Sequence, residues 1–144
     1  MKKIILATLL VAFALTTFAS GKTNDKQLLN DLQTALKSAT QVKWSTKADY
    51  NQATFSFNGK PVSAFYDPTE NNLIGFSIHY KIDELPKEVS DAIVKKYGDW
   101  TVTDAMMFID ANAQVNYFAQ VQKGKGNLAL KIVNGHASIY SRMP

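Results

Sequence analysis

Cysteine is absent from the 144-residue chain. That excludes disulfide bonds, thiol catalysis, cysteine-ligated zinc, iron–sulfur clusters and a lipid-modified N-terminal cysteine. Histidine is nearly absent too, with only His79 and His136. There is no His-Glu-x-x-His helix and no paired histidine spacing, so a metal site lacks its usual ligands. No Gly-x-Ser-x-Gly elbow and no phosphate loop occurs. A strong charge of one sign is also missing. Lys plus Arg is 16 against 12 Asp plus Glu, and two of those basic residues, Lys2 and Lys3, belong to an N-terminal leader. The small remaining excess is spread along the chain, whereas nucleic-acid binding requires a clustered basic stripe. The densest basic stretch, Gln122-Lys-Gly-Lys-Gly126, reads as a hairpin turn.

What is present begins with that leader. Met1-Lys2-Lys3 is a short positive region, Ile4 to Leu15 is almost wholly apolar, and Thr16-Thr-Phe-Ala-Ser20 supplies small residues. Charge, apolar segment and small residues in that order are a secretory signal peptide. Thr17 and Ala19 fit cleavage before Ser20, giving a signal peptide over 1–19 and one domain over 20–144. The apolar stretch is short for a membrane span, which needs about 20 residues. The expected product is exported, periplasmic or extracellular, with no stable membrane insertion after cleavage. With 46% hydrophobic and 19% charged residues, the chain can build one ordinary core. Without disulfides, packing alone must hold it.

Leu28, Leu29, Leu32, Ala35, Leu36 and Ala39 form one apolar stripe, predicting a helix over Lys26 to Ala39 with Asn24 or Asp25 at its cap. The period then changes to two. Val42 and Trp44 start one strand, Ala53, Phe55 and Phe57 define a second, and Asn58-Gly59 predicts a hairpin turn. A third strand spans about Pro61 to Tyr66. A fourth alternates Ile74, Phe76, Ile78, Tyr80 and Ile82 with polar residues. Leu85-Pro86 opens a second helix, with Asp83 or Glu84 near its positive end and the stripe Val89, Ala92, Ile93, Tyr97. Four further strands are expected at Trp100 to Ile109, Gln114 to Gln122, Asn127 to Val133 and Ala137 to Tyr140, the last two joined by Asn134-Gly135. The fold class is therefore α+β in two layers, with helices covering one face of an antiparallel sheet. The order helix plus four strands, twice, is a candidate tandem repeat over about 26–82 and 83–144.

Val42-Lys-Trp44, Phe55-Ser-Phe-Asn-Gly-Lys60, Ser63-Ala-Phe-Tyr-Asp67, Asp83-Glu-Leu-Pro86 and Lys96-Tyr97 resemble the PepSY-like family. This is a secreted group described as β-lactamase-inhibitor-like and common in Bacteroidetes. The resemblance covers about residues 26 to 144. It implies tandem helix-plus-four-strand units, an extracytoplasmic location and a largely unassigned function. True β-lactamase inhibitor proteins grip their enzyme with the open sheet face and protruding loops. No inhibitor contact motif matches here position by position, and no functional residue is carried over.

The candidate site follows from strand parity. If Phe55, Phe57, Ile74, Phe76, Ile78, Val115, Tyr117, Val121, Leu128, Leu130 and Ile132 pack on the helices, alternation sends Phe65, His79, Phe118, Gln120, Lys131 and Tyr140 to the other face. Met106 and Phe108 join them in one of two registers, because Ala105 to Ile109 is apolar on both faces. Aromatic residues and methionine among polar neighbours are the composition of a protein-binding surface. Phe65, His79, Phe118, Gln120 and Tyr140 are the expected contacts for a protein or peptide partner, with no nucleic acid, no cofactor and no metal. Asp110-x-Asn112-x-Gln114 begins like a calcium loop, but Val115 and Val121 stand where glycine and an acid are required. Asp67 to Asn72 reads as a turn. Asp83-Glu84 and Glu70 are the carboxylates left for acid–base work, and no nucleophile, base and orienter set assembles around them. A small-ligand or glycan carrier using the aromatic side chains for stacking is the alternative.

Overall fold

The computed structural model describes residues 22–143. The leader and its cleavage site lie outside the described residues. Within them the order is α1 (Lys22–Ser38), β1 (Lys43–Thr46), β2 (Asn51–Phe57), β3 (Lys60–Tyr66), β4 (Leu73–His79), a 3-10 turn (Ile82–Glu84), α2 (Lys87–Tyr97), β5 (Thr101–Asp110), β6 (Val115–Lys123), β7 (Gly126–Val133) and β8 (His136–Met143). The strands form one antiparallel sheet in sequence order, from β1 at one edge to β8 at the other.

Short connections join the strands within each half, and β4 reaches β5 through the 3-10 turn and α2. Asn58 and Gly59 take φ of 52° and 77°, and Asn134 and Gly135 take the same pair of values. Positive φ at both central residues twists the turn with the strands it joins, which is why Asn-Gly is favoured there. Gly59→Ala forces a Cβ into that left-handed conformation. It should lower stability by about 1 kcal/mol in urea unfolding, with no steric clash to confuse the reading, because no atom lies within 4 Å of the added carbon.

Both helices lie on one face. From α1, Leu29 and Leu32 pack with Ala53, Phe55, Val62, Ala64, Phe76, Ile78, Met107 and Ile109. From α2, Val89, Ala92, Ile93 and Tyr97 pack with Ala105, Ala119, Val121, Leu128, Leu130, Ile132 and Ala137. The stripe expected on α2 is therefore the buried one, residue for residue. Tyr117 packs against both clusters, so the two halves share a continuous core, as the short length of each requires.

Several boundaries differ from the sequence expectation. Helix α1 already includes Lys22, so Asn24 and Asp25 lie within it and do not cap it. The fourth strand ends at His79, and Ile82 sits exposed in the 3-10 turn. Pro86 precedes α2 in an extended conformation, and Glu84 pairs with Lys60 (Nζ to Oε1, 2.6 Å) in place of serving the helix end. Ile74, expected inward, is 40% exposed. The cause is a β-bulge: Phe65 faces Gly75 but Tyr66 faces Leu73, leaving Ile74 as the extra residue. A bulge shifts parity by one, so Leu73 takes the core position. Further bulges lie between Val102 and Asp104 on β5 and opposite Ala129/Leu130 on β8.

Candidate binding face

The face opposite the helices is built by cross-strand neighbours. One row runs His79, Met106, Phe118, Lys131 and Ser138; the next runs Asp104, Gln120, Ala129 and Ser141. The register on β5 is thus resolved: Ala105, Met107 and Ile109 are buried beneath the helices, and Met106 and Phe108 point outward. Ala129 is small and stands among Phe118, Tyr140 and Met106. The result is an open groove of about 420 Å³ over β5–β8, walled by Met106, Phe108, Phe118 and Tyr140, with Asp104 and Gln120 on its polar side. Phe118 and Tyr140 meet edge to face at 5.1 Å between ring centroids. Tyr140 is 64% exposed.

Aromatic contact continues across the sheet. Phe108 lies 6.2 Å from Phe65, and Phe65 meets Tyr50 edge to face at 5.2 Å. Phe108 reaches this position because it lies over Gly75: a Cβ there would stand 2.5 Å from its ring. Beyond Phe65 the face turns polar, with Gln52 Nε2 donating to Ser63 Oγ at 2.9 Å and Thr54 Oγ1 at 3.3 Å from the same hydroxyl. Ser77, on this outer face, is nevertheless buried.

The structure places all of Phe65, His79, Phe118, Gln120 and Tyr140 on the helix-free face. Phe118, Gln120 and Tyr140 share the groove. Phe65 reaches it through Phe108. His79 stands at its margin, Nδ1 3.5 Å from Asp104 Oδ1, with both side chains about half exposed. So exposed a pair contributes little to stability. His79→Ala should leave the unfolding free energy from urea titration within about 0.5 kcal/mol of the parent. Met106 and Phe108 take the outward one of their two expected registers, whereas Tyr50 and the role of Ala129 as a hollow were not identified by alternation alone.

The carboxylates are occupied structurally. Asp110 Oδ1 accepts the backbone N–H groups of Asn112 and Gln114, at 2.8 and 3.0 Å, closing the β5–β6 turn. Asp67 accepts from Thr69 and Glu70. Glu70 accepts from Asn72, and Asp83 is exposed. Among the described residues no three His, Asp or Glu side chains converge on a metal-sized site, and no helix is long and apolar enough to cross a membrane.

On the helix side, Tyr80 and Tyr117 lie 6.2 Å apart. Burial, reinforced by Tyr80, Asp25 and Glu88, pushes the Tyr117 phenol well above its ordinary range. Burial and the Glu84 charge raise Tyr80 as well, against a hydrogen bond to Tyr117 that lowers it. The folded state therefore keeps protons that the unfolded chain releases above about pH 10. Stability from this source is intact below that pH and is lost as pH rises through the folded values. Urea midpoints at about pH 8 and about pH 11 should show a fall that Tyr117→Phe reduces.

Comparison with family models gives no match, and comparison with curated proteins gives none. Solved structures do match. A DUF2874 family protein from Bacteroides uniformis superposes with a TM-score of 0.65 at 18% identity, covering 88% of this chain and 89% of that one. A BLIP-like protein from Bacteroides fragilis gives 0.64 at 19%, covering 88% and 87%. A candidate periplasmic protein from Bacteroides eggerthii gives 0.64 at 17%, covering 87% and 89%. At these identities the likeness shows a shared fold over nearly the whole described chain. It extends no activity to this protein.

Proposed function

We propose that this chain is an exported, non-catalytic binding protein that engages a protein or peptide on the helix-free face of its sheet. The observation that carries the reading is the groove between Met106, Phe108, Phe118 and Tyr140. Exposed Tyr140 beside half-buried Phe108 and Phe118, around a small-residue hollow, is what an interface anchor needs, because aromatic side chains bury much area at little entropic cost. Residues 1–19 are the proposed signal peptide, and the BLIP-like and candidate periplasmic neighbours support a place outside the cytoplasm. Inhibition of a secreted or envelope hydrolase is one form the binding takes in this reading. The helix-plus-four-strand order, repeated once, supports an origin by internal duplication of about 26–82 and 83–144.

The test is affinity capture from envelope and culture-fluid fractions with the mature protein and a Phe65→Ser/Phe118→Ser/Tyr140→Ser variant. A partner held by the parent and released by the variant supports the reading. Equal retention by both removes the face from consideration. The groove volume favours one second reading, a small-ligand or glycan carrier, since ligand pockets begin at about 300 Å³. A ligand bound to the native state raises the melting temperature by mass action. A thermal-shift screen in which no sugar or small metabolite raises it would dismiss the carrier.

A further inference from the structure

All 12 acidic residues precede position 111; from Ala111 to Pro144 the chain holds Lys123, Lys125, Lys131 and Arg142 and no acid. Strands β6, β7 and β8 are drawn wholly from this cationic stretch. Lys123 is neutralised by Asp99, whereas Lys125, Lys131 and Arg142 enter no ion pair among the described residues. The same region ends in an open edge. Strand β8 has eight residues, no proline and no acid, and among the described residues nothing pairs with its outer side.

Its hydrogen-bonding phase follows from the turn. In a two-residue hairpin the residues flanking the turn, Val133 and His136, form a hydrogen-bonded pair, and pairs alternate from there. Ser138, opposite Lys131, therefore bonds back to β7. Ala137 and Ile139 aim their N–H and C=O groups away from the sheet. Ile139 is 42% exposed. Ser138 is small, so the Lys131 side chain, beside it on the groove face, can reach across to a neighbouring strand. Tyr140 and Ser141, on the same strand, form the groove's outer wall.

Resting on the binding-face reading above, we propose that β8 takes an acidic, extended segment of a partner protein as a ninth strand, with its apolar side chains entering the groove. Charge complementarity selects the occupant. A second copy pairing β8 with β8 would bring no acid to the edge, leaving Lys131 and Arg142 without a counter-charge. A duplex or an anionic lipid would meet the lysines but has no peptide groups for the edge. An acidic strand satisfies both.

The probe is a fluorescent peptide of strand length alternating glutamate with valine and phenylalanine, read by anisotropy at low salt, with a lysine-for-glutamate peptide beside it. The parent should bind the acidic peptide, ignore the basic one, and weaken with added salt. Ile139→Pro removes one outward N–H without touching the β7 ladder, a position where edge strands tolerate proline. It should keep its melting temperature and lose about tenfold in affinity, as should Lys131→Glu. Unchanged binding by Ile139→Pro, equal binding of the two peptides, no binding of the acidic peptide by the parent, or displacement of it by a DNA duplex that binds Ile139→Pro and parent alike, overturns the proposal. Phe118→Ser separates the two readings. If it alone loses the peptide, the groove stands and strand addition falls; if Ile139→Pro alone loses it, strand addition stands and the groove falls.

Discussion

Phe76→Ala should remove about 3–5 kcal/mol of stability, a large share of the roughly 5–15 kcal/mol that a domain possesses. Phe76 is fully buried in the middle of β4. Its register partners are Ala64 on β3 and Ile109 on β5, both fully buried. Its ring meets Phe55 at 6.2 Å, 80° from coplanar, an edge-to-face arrangement that adds to the area buried. Leu32 of α1 belongs to the same cluster. Truncation leaves a void that three hydrogen-bonded strands cannot close, because moving any of them breaks ladder bonds. The urea midpoint should fall with little change in slope. A loss below about 1 kcal/mol would mean that this cluster is not the packed centre described here.

Gly75→Ala should cost about 2–3 kcal/mol, unusual for the addition of one methyl group. The added carbon would stand 2.5 Å from the carbonyl oxygen of Ile109 and 2.5 Å from Cζ of Phe108. The ring can swing away; the carbonyl cannot without opening the β4–β5 ladder. A double-mutant cycle divides the two. With Phe108→Ala in the background, the ring part of the penalty should vanish and the carbonyl part persist. The substitution reaches the helix-free face as well, because Phe108 lines the groove and touches Phe65. Gly75→Ala should therefore weaken partner capture even where the protein remains folded, measured at a temperature well below its midpoint. A cycle with no coupling between Gly75 and Phe108 would refute the seating of that ring.

Much of this architecture was readable from residue order. The two Asn-Gly turns and the stripe Val89, Ala92, Ile93, Tyr97 are local signals, and each appears where its chemistry requires. Alternation also put Phe118 and Tyr140 on one face, where they now touch. The exchange of faces on β4 has one physical cause. A bulge inserts a residue without a distinctive sequence mark, so Ile74 and Leu73 exchange faces. The run Ala105 to Ile109 defeats alternation for another reason: its inner side meets the core and its outer side lines the groove, so both are apolar. The hollow at Ala129 and the resting place of Phe108 on Gly75 depend on strands distant in sequence, and no local pattern announces them. Tyr80 and Tyr117 likewise meet across segments distant in sequence.

The most direct measurement is an amide chemical-shift map of the isotope-labelled mature protein, titrated with the partner recovered by capture. Perturbations should concentrate at Met106, Phe118, Gln120, Ala129 and Tyr140, while the solvent-facing residues of the helices, such as Asp31, Asp91 and Lys95, stay silent. A map centred on α1 and α2, with the β5–β8 outer residues unmoved, would contradict the account.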